Sequence, residues 1–276
     1  GRPLSFLDHH IQCGNSLLGT TPRLMKDGIP DDAFNPIEGD DKAVCSDYRK
    51  RNKQERGGQM SLFMGTDAKP WEQLGNLAVA MANLDGIDDS SLGGVRTKQE
   101  RYEQTVRGSG YLFNRLLADA WCAAFVWKKA ESDDLPYPIT EEIYRKIERN
   151  PHSCPHWMRT EIQRLTDQYQ FFHWHLAFPD VFRVPAREEG PENEQTGWNG
   201  GFDVVLGNPP WDQVEFDARQ FFAASHPEIM NAKNMAQRRR LIIALSLTQP
   251  SIFLAYKGRE RAIGGTKAFF HSSGLF

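Results

Sequence analysis

The sequence lacks the features that mark several classes of protein. Its 276 residues include four cysteines, with no Cys-x-x-Cys pair among them, so neither a disulfide scaffold nor a structural zinc site is expected. No apolar run approaches the length of a membrane span, and no signal peptide is recognisable. The net charge is −3, so DNA contact would need a local basic patch. These absences favour a reduced, cytoplasmic protein without a membrane partner.

What is present is an ordinary globular composition. The chain is 39% hydrophobic and 25% charged, and its length allows one large domain or two small ones. It begins with Gly1 and ends in the middle of a pattern at Phe276. We therefore expect it to be an internal piece of a longer protein.

The most informative stretch joins an apolar run to an unusual turn. Residues 204–206 are Val-Val-Leu without polar alternation, which is typical of a strand buried on both faces of a parallel sheet. The run stops at Asn208-Pro209-Pro210-Trp211, where the prolines cannot continue a strand. The carboxyl edge of such a sheet is where ligands bind. A plain strand-ending turn is the alternative, since Pro-Pro also marks loops.

The groups in this turn suit the transfer of a methyl group to an amine that is attached to an aromatic ring. Such an amine is a poor nucleophile because its lone pair is delocalised into the ring. The Asn208 side-chain oxygen and the Pro209 carbonyl would both accept its hydrogens, and proline holds that carbonyl in place beforehand. Trp211 would stack on a base swung out of a duplex. The turn thus predicts chemistry on the amino group of a base.

Asn-Pro-Pro-aromatic resembles the motif of amino-group methyltransferases, chiefly adenine-specific DNA methylases that use S-adenosylmethionine. The chain is most similar to methylases of restriction-modification systems of the type IIG kind and to their phage-defence relatives such as DISARM. The resemblance implies direct in-line methyl transfer, without a metal, to an adenine flipped out of double-stranded DNA. It assigns the catalytic roles to Asn208, Pro209, Pro210 and Trp211. Other subunits of a defence system are possible partners, and a nuclease is either fused or separate.

The same resemblance assigns a cofactor segment near the beginning of the chain. A short strand at residues 11–13 and the turn after it match the family's strand beside the cofactor. By resemblance, the Asn15 side chain hydrogen-bonds the adenine of S-adenosylmethionine, and Ser16 and Leu17 line the adenine slot. The family's Gly-rich cofactor loop is missing. Residues 108–110 are Gly-Ser-Gly, but they are a poor substitute for that loop because they follow a charged helical stretch and not an apolar strand. We expect that loop upstream of the first residue, which puts activity of the isolated chain in doubt.

Between these motifs the sequence turns helical. Residues 74–84 and 102–127 carry apolar side chains at helical spacing, Glu141 and Glu142 suit a helix first turn, and a further stripe runs from Met158 to Phe172. We therefore divide the chain into a cofactor-side strand at residues 1–21, a helical insertion at 22–170, and a catalytic part at 171–276. Large restriction-modification methylases carry such insertions, which help to hold DNA.

Two groups of histidine and cysteine have the composition of metal ligands. His9, His10 and Cys13 stand close together, but along a strand neighbouring side chains point to opposite faces. His, Cys and His also occur within residues 152–156, where a helix start would splay them apart. We expect no metal at either place.

Residues 171–182 resemble a segment that shortly precedes the Asn-Pro-Pro strand in these methylases. His173 and His175 alternate as two imidazoles on one face of a strand would. A packing or hydrogen-bonding role beside the active site is favoured over catalysis or zinc binding.

Basic residues are concentrated in three places. The run at 49–53 is best explained as a solvated helix face. The arginines at 238–240 fall on a predicted helix, and Lys257, Arg259 and Arg261 fall on the next one. For these two groups the sequence does not decide between contact with DNA phosphates and plain surface charge.

Together these features predict an α/β class I (Rossmann-like) methyltransferase with an incomplete doubly wound sheet and a large, mainly helical insertion. The function expected is methylation of adenine in a specific DNA sequence within a restriction-modification or phage-defence system. Two alternatives stay open: methylation of RNA or of a protein glutamine, and a non-catalytic DNA-binding fragment. The compactness of the known RNA and glutamine enzymes argues against the first.

Overall fold

A computed structural model describes residues 4–62, 70–185, 189–208 and 215–275. Within these ranges the chain is mainly helical. The α-helices are α1 Pro22–Asp27, α2 Lys42–Leu62, α3 Pro70–Asp85, α4 Leu92–Val106, α5 Ser109–Val126, α6 Glu141–Arg149, α7 His156–Tyr169, α8 Trp174–Ala177, α9 Ala218–Phe222, α10 Pro227–Met230, α11 Met235–Thr248 and α12 Pro250–Ser272. Two short strands, β1 Phe182–Arg183 and β2 Asn199–Gly200, pair antiparallel. No described helix is both long enough and apolar enough to cross a lipid bilayer.

Helices α3, α5, α6 and α7 lie where the sequence pattern predicts them, whereas α4 begins at Leu92, ahead of the predicted pattern that starts at residue 102. The buried face of α3 includes Leu74 and Met81, as expected, and the helix ends at Asp85 before Gly86. The long pattern after it divides at Gly108, which begins α5 with extended backbone. Glu141 and Glu142 occupy the first turn of α6, where the helix dipole favours negative charge.

Helix α5 is the centre of the larger hydrophobic core. Every residue from Leu117 to Val126 is buried, as in a helix that is covered on all sides. The Trp121 ring packs at 4.8 Å from Phe125 and at 6.2 Å from Phe269 of α12. Its indole N–H donates to the Gly28 carbonyl at 2.9 Å, so this buried side chain leaves no polar atom unpaired. Helices α1, α3, α4, α6, α7 and α12 pack against α5, whereas α2 packs against α6.

Two cationic side chains donate hydrogen bonds to the carbonyl groups at the carboxyl end of α5. Burial lowers the pKa of Lys129 to about 8, and its ammonium donates to the carbonyls of Phe125 and Trp127 at 3.2 Å each. Arg261 of α12 donates to the Trp127 carbonyl at 3.1 Å and to Asp40 at 2.7 Å. Positive groups are favourable at this end because the last carbonyls of a helix have no partners within it.

A smaller core joins α9, α10, α11 and α12. It consists of the buried side chains of Phe222, Ile229, Ile242, Leu245 and Tyr256. Tyr256 and Phe269 are both on α12, so this one helix belongs to both hydrophobic cores.

The sheet region differs from the sequence expectation. Residues 204–206 form no strand, and Val204, Val205 and Leu206 are 72%, 76% and 93% exposed. Residues 11–13 are also outside any strand. A parallel strand is held by neighbours on both sides, and in the described part of the chain none lies against residues 204–206. The doubly wound sheet, and the division at residues 21 and 170, stay predictions.

One parallel contact nevertheless closes the helical region. Asn15 and Phe171 form a parallel bridge, and the Asn15 N–H donates to the Gln170 carbonyl at 2.7 Å. Beside this bridge the Phe172 N–H donates to the Leu18 carbonyl, also at 2.7 Å. Gln170 ends α7 in the left-handed conformation, with φ of 53°. The chain thus returns after seven helices to lie beside the residues from which the first of them departed, as a long parallel crossover does.

A substitution at Gly19 would test how much this contact contributes to stability. A methyl group added at Gly19 would overlap the Phe172 carbonyl oxygen, so Gly19→Ala should destabilise the protein by about 1–3 kcal/mol or more. Chemical denaturation measures the change. Gly57→Ala is the matched control, because an added methyl group there would meet no described atom within 4 Å apart from the backbone of α2 itself, and it should stabilise by about 0.5–1 kcal/mol. Equal stability of Gly19→Ala and the wild type would show that the two segments do not lie this close.

Candidate functional site

The proposed cofactor segment lies on the surface beside the returning chain. Asn15 is half-buried, and its Oδ1 accepts the Leu17 N–H at 3.2 Å in a local turn. Ser16 and Leu17 are exposed, and the Ser16 carbonyl accepts the indole N–H of Trp174 at 3.3 Å. The three residues are therefore fixed by their own turn and by one aromatic side chain from α8.

His173 connects this segment to the helical core. Its Nδ1 accepts the Thr20 N–H at 3.3 Å, so the ring proton is on Nε2, which donates to Asp119 of α5 at 3.0 Å. Arg115 lies 3.6 Å from the same carboxylate. The expected hydrogen-bonding role of His173 agrees with this arrangement, which fixes the tautomer and joins the segment to α5.

His175 has a different environment from His173. It belongs to the short helix α8 rather than to a strand, so the expected alternation of two strand-facing imidazoles is wrong. The ring is 1% exposed, and neither nitrogen has a hydrogen-bond partner among the described residues. Burial, with a smaller effect of His173, lowers the pKa of His175 to about 3. The ring is neutral at ordinary pH and packs against Trp198 at 6.3 Å.

An aromatic cluster packs around Phe202, in the segment that leads to Asn208. It consists of Phe172, Trp174, Phe178, Phe182, Trp198 and Phe202. The Phe202 ring lies 5.2 Å from Phe182, 5.5 Å from Phe178 and 6.2 Å from Trp174. Such edge-to-face contacts stabilise beyond the area they bury. Phe202 therefore fixes the chain six residues before Asn208.

Of the four proposed catalytic residues, the structure describes Asn208, which is exposed. Pro209, Pro210 and Trp211 lie outside the described residues. The structure thus places the segment that leads to the turn, and the two-acceptor arrangement stays a prediction.

The basic residues divide between internal and exposed positions. Arg49 and Arg51 on α2 pair with Asp32 at 2.8 Å and Glu55 at 2.7 Å, as expected for a solvated helix face. Arg238 is buried and donates to the Ile229 carbonyl at 3.2 Å.

The cations of α12 divide in the same way. Lys257 pairs with Glu38 at 2.6 Å, and Arg261 pairs with Asp40. The exposed members of the two groups are Arg239, Arg240 and Arg259.

Two positioning residues were missed by the sequence analysis. Asp119 stands alone among apolar neighbours in the buried half of α5, and a single carboxylate in such a run signals a buried partner. Trp174 gave no comparable signal, because aromatic residues surround it on both sides in the sequence.

Comparison with protein families identifies the chain. The family model of the Eco57I restriction-modification methylase matches residues 73–239, which is more than half of the chain. The chain belongs to this family. The match begins in α3, includes α4 to α10, and ends in α11. Comparison with curated proteins and with solved structures gave no match.

Membership of the Eco57I family indicates a DNA methyltransferase of a restriction-modification system. The matched residues include Asn208, Pro209, Pro210 and Trp211, together with most of the helical region. Helices α4 to α7, which were interpreted as part of an insertion, are therefore within the family's own matched region, whereas α1 and α2 lie before it. Asn15, Ser16 and Leu17 lie before the match.

The buried imidazole predicts a pH dependence of stability. Below a pH of about 6.5 the unfolded chain binds a proton at His175 and the folded chain does not until about pH 3, so the free energy of unfolding falls as the pH decreases through this window. Between pH 7 and 5, His175→Leu should reduce that fall by about 2 kcal/mol. Urea denaturation at both values measures it. His152→Leu, at an exposed position, should change nothing, and an unaltered slope in His175→Leu would contradict the assignment.

Proposed function

We propose that this chain carries the catalytic part of an adenine-specific DNA methyltransferase that uses S-adenosylmethionine. The observation that carries the proposal is the Asn208-Pro209-Pro210-Trp211 turn inside the region matched by the Eco57I methylase family. The substrate is double-stranded DNA with the target adenine flipped out, in a restriction-modification or phage-defence system of which DISARM is one kind.

The roles of the turn follow from the chemistry of the amine. The Asn208 oxygen and the Pro209 carbonyl accept the two amine hydrogens and favour the nitrogen as it becomes tetrahedral. Pro210 restricts the backbone after this carbonyl, and Trp211 stacks on the extruded base. S-adenosylmethionine would supply the methyl group as an electrophilic sulfonium. The amine nitrogen would form the bond to this methyl group as the bond to sulfur breaks, with its electron pair left on the sulfur, and the methylated amine would then release one proton.

The segment at Asn15, Ser16 and Leu17 fits the adenine of the cofactor chemically. Leu17 is 39% exposed and offers an apolar face. The Asn15 oxygen is turned inward to the Leu17 N–H, which leaves the amide nitrogen as the group that donates to an acceptor on the adenine ring. Trp174 holds this segment and contacts Phe202, so one side chain supports both parts of the proposed site.

The doubly wound sheet belongs to the same proposal. Its support is the apolar sequence of residues 204–206 and the parallel sense of the Asn15–Phe171 bridge. In such a sheet, residues 204–206 would be covered on both faces, and the turn after them would lie at the carboxyl edge.

The first experiment removes one amine acceptor. Asn208→Ala in the intact protein should lower the rate of methyl transfer about 100-fold or more, because one preorganised acceptor is lost. The rate is measured with labelled S-adenosylmethionine and double-stranded DNA, followed by mass spectrometry of the nucleosides for N6-methyladenine. Asn83→Ala, at an exposed position of α3, is the control and should be fully active.

The outcomes separate the proposal from its rivals. Wild-type turnover by Asn208→Ala would remove this residue from the mechanism. Methyl transfer to RNA or to protein glutamine but not to DNA would replace the substrate, and DNA binding without any methyl transfer would leave a non-catalytic binding fragment.

A second experiment tests the exposed arginines as phosphate contacts. Each contact releases counterions and contributes about 0.9 to the slope of log affinity against log salt concentration. Replacing Arg239 and Arg240 together by Gln should therefore lower this slope by about 2, as measured by fluorescence anisotropy of labelled DNA over a salt series. Arg96→Gln, on α4, is an exposed control. An unchanged slope in the double variant would assign these arginines to plain surface charge.

A further inference from the structure

Two adjacent histidines converge on one carboxylate near the beginning of the chain. Residues 8–10 form a turn rather than a strand, and the rings of His9 and His10 lie side by side, with centroids 3.8 Å apart. The Nε2 atom of His9 lies 2.9 Å from Asp85 Oδ1, and that of His10 lies 3.2 Å from the same oxygen. The expectation that neighbouring histidines point apart is wrong here, because it assumed strand geometry.

The three ligand atoms have the spacing of a coordination polyhedron. All of them lie within 4.8 Å of one another. In a tetrahedral zinc site with bonds of about 2.0–2.1 Å, neighbouring ligand atoms are about 3.3 Å apart. The two distances to Asp85 are close to that value. Two imidazoles and one carboxylate are a ligand set that zinc prefers, with the fourth position left to water. Cys13, which the sequence also suggested, is exposed and is not in this group.

The surroundings position the ligands before any metal is bound. His9 is 7% exposed, and its ring stacks on Phe6 at 5.9 Å and tilts against Tyr102 at 6.4 Å. Asp85 is the last residue of α3, so its backbone is fixed by a helix. One neighbour opposes a cation: the ammonium of Lys98 lies 3.9 Å from Asp85 and 3.6 Å from Asp89.

We propose that His9, His10 and Asp85 bind one divalent transition-metal ion, with zinc as the ion that fits best. The ion joins the segment before Asn15 to the end of α3, so it holds the beginning of the chain against the helical region. It is independent of the methyl transfer proposed above.

Zinc titration tests this proposal directly. Chelator-treated protein should bind one equivalent of Zn²⁺, measured by calorimetry and by metal analysis after gel filtration. His10→Ala and Asp85→Asn should each lower the affinity about 100-fold or more, since loss of an outer partner alone costs ~10–100-fold. His152→Ala, at an exposed histidine, should bind as the wild type does. Cobalt should give the absorption bands of a tetrahedral site in the wild type and not in His10→Ala.

Lys98 supplies a variant that should gain affinity. Lys98→Gln removes a positive charge beside Asp85, so zinc should bind about fivefold more tightly or better. This result does not depend on whether a ligand variant folds, which circular dichroism checks. The proposal is overturned by the absence of stoichiometric zinc, by unchanged affinity in His10→Ala or Lys98→Gln, or by an equal loss in His152→Ala.

Discussion

The contact between residues 15–18 and residues 170–172 is the constraint on which the rest of the structure depends. Two backbone hydrogen bonds of 2.7 Å join segments that are separated by all of α1 to α7. The imidazole of His173 extends the contact by accepting the Thr20 N–H and donating to Asp119 in the centre of α5. Because α5 is buried on all sides in this half, the paired segments take their position from the best-packed helix of the chain.

The helices could be predicted because their signals are local. The spacing of Leu74 and Met81 depends on the period of one helix, and Gly108 interrupts the following pattern within a few residues. Glu141 and Glu142 report a helix start through the dipole of the same helix. None of these signals needs knowledge of what lies across the core. This explains why α3, α5, α6 and α7 occur where the sequence pattern predicts helices.

The site could be predicted only in part, because its contacts are made over long distances in the sequence. His173 is hydrogen-bonded to Asp119, which is 54 residues away in the sequence, and Trp174 is hydrogen-bonded to Ser16, which is 158 residues away. No periodic pattern encodes such pairs. The apolar run at 204–206 shows the reverse case, in which a local signal is present but the long-range contacts that it implies are not found among the described residues. Its composition predicts burial, yet burial of a strand requires neighbours, and its side chains are exposed in the described part of the chain. The motif residues Asn15 and Asn208 were found through resemblance to a family.

Trp174 limits how far the two proposed halves of the site can lie from each other. Its indole N–H donates to the Ser16 carbonyl, and its ring contacts Phe202 at 6.2 Å. Asn208 follows Phe202 by six residues, which span at most about 20 Å when fully extended. Any folding of the apolar run into a sheet would have to act within this limit. The proposed cofactor segment and the segment that leads to Asn208 both contact this one side chain, so a change at Trp174 would affect both at once.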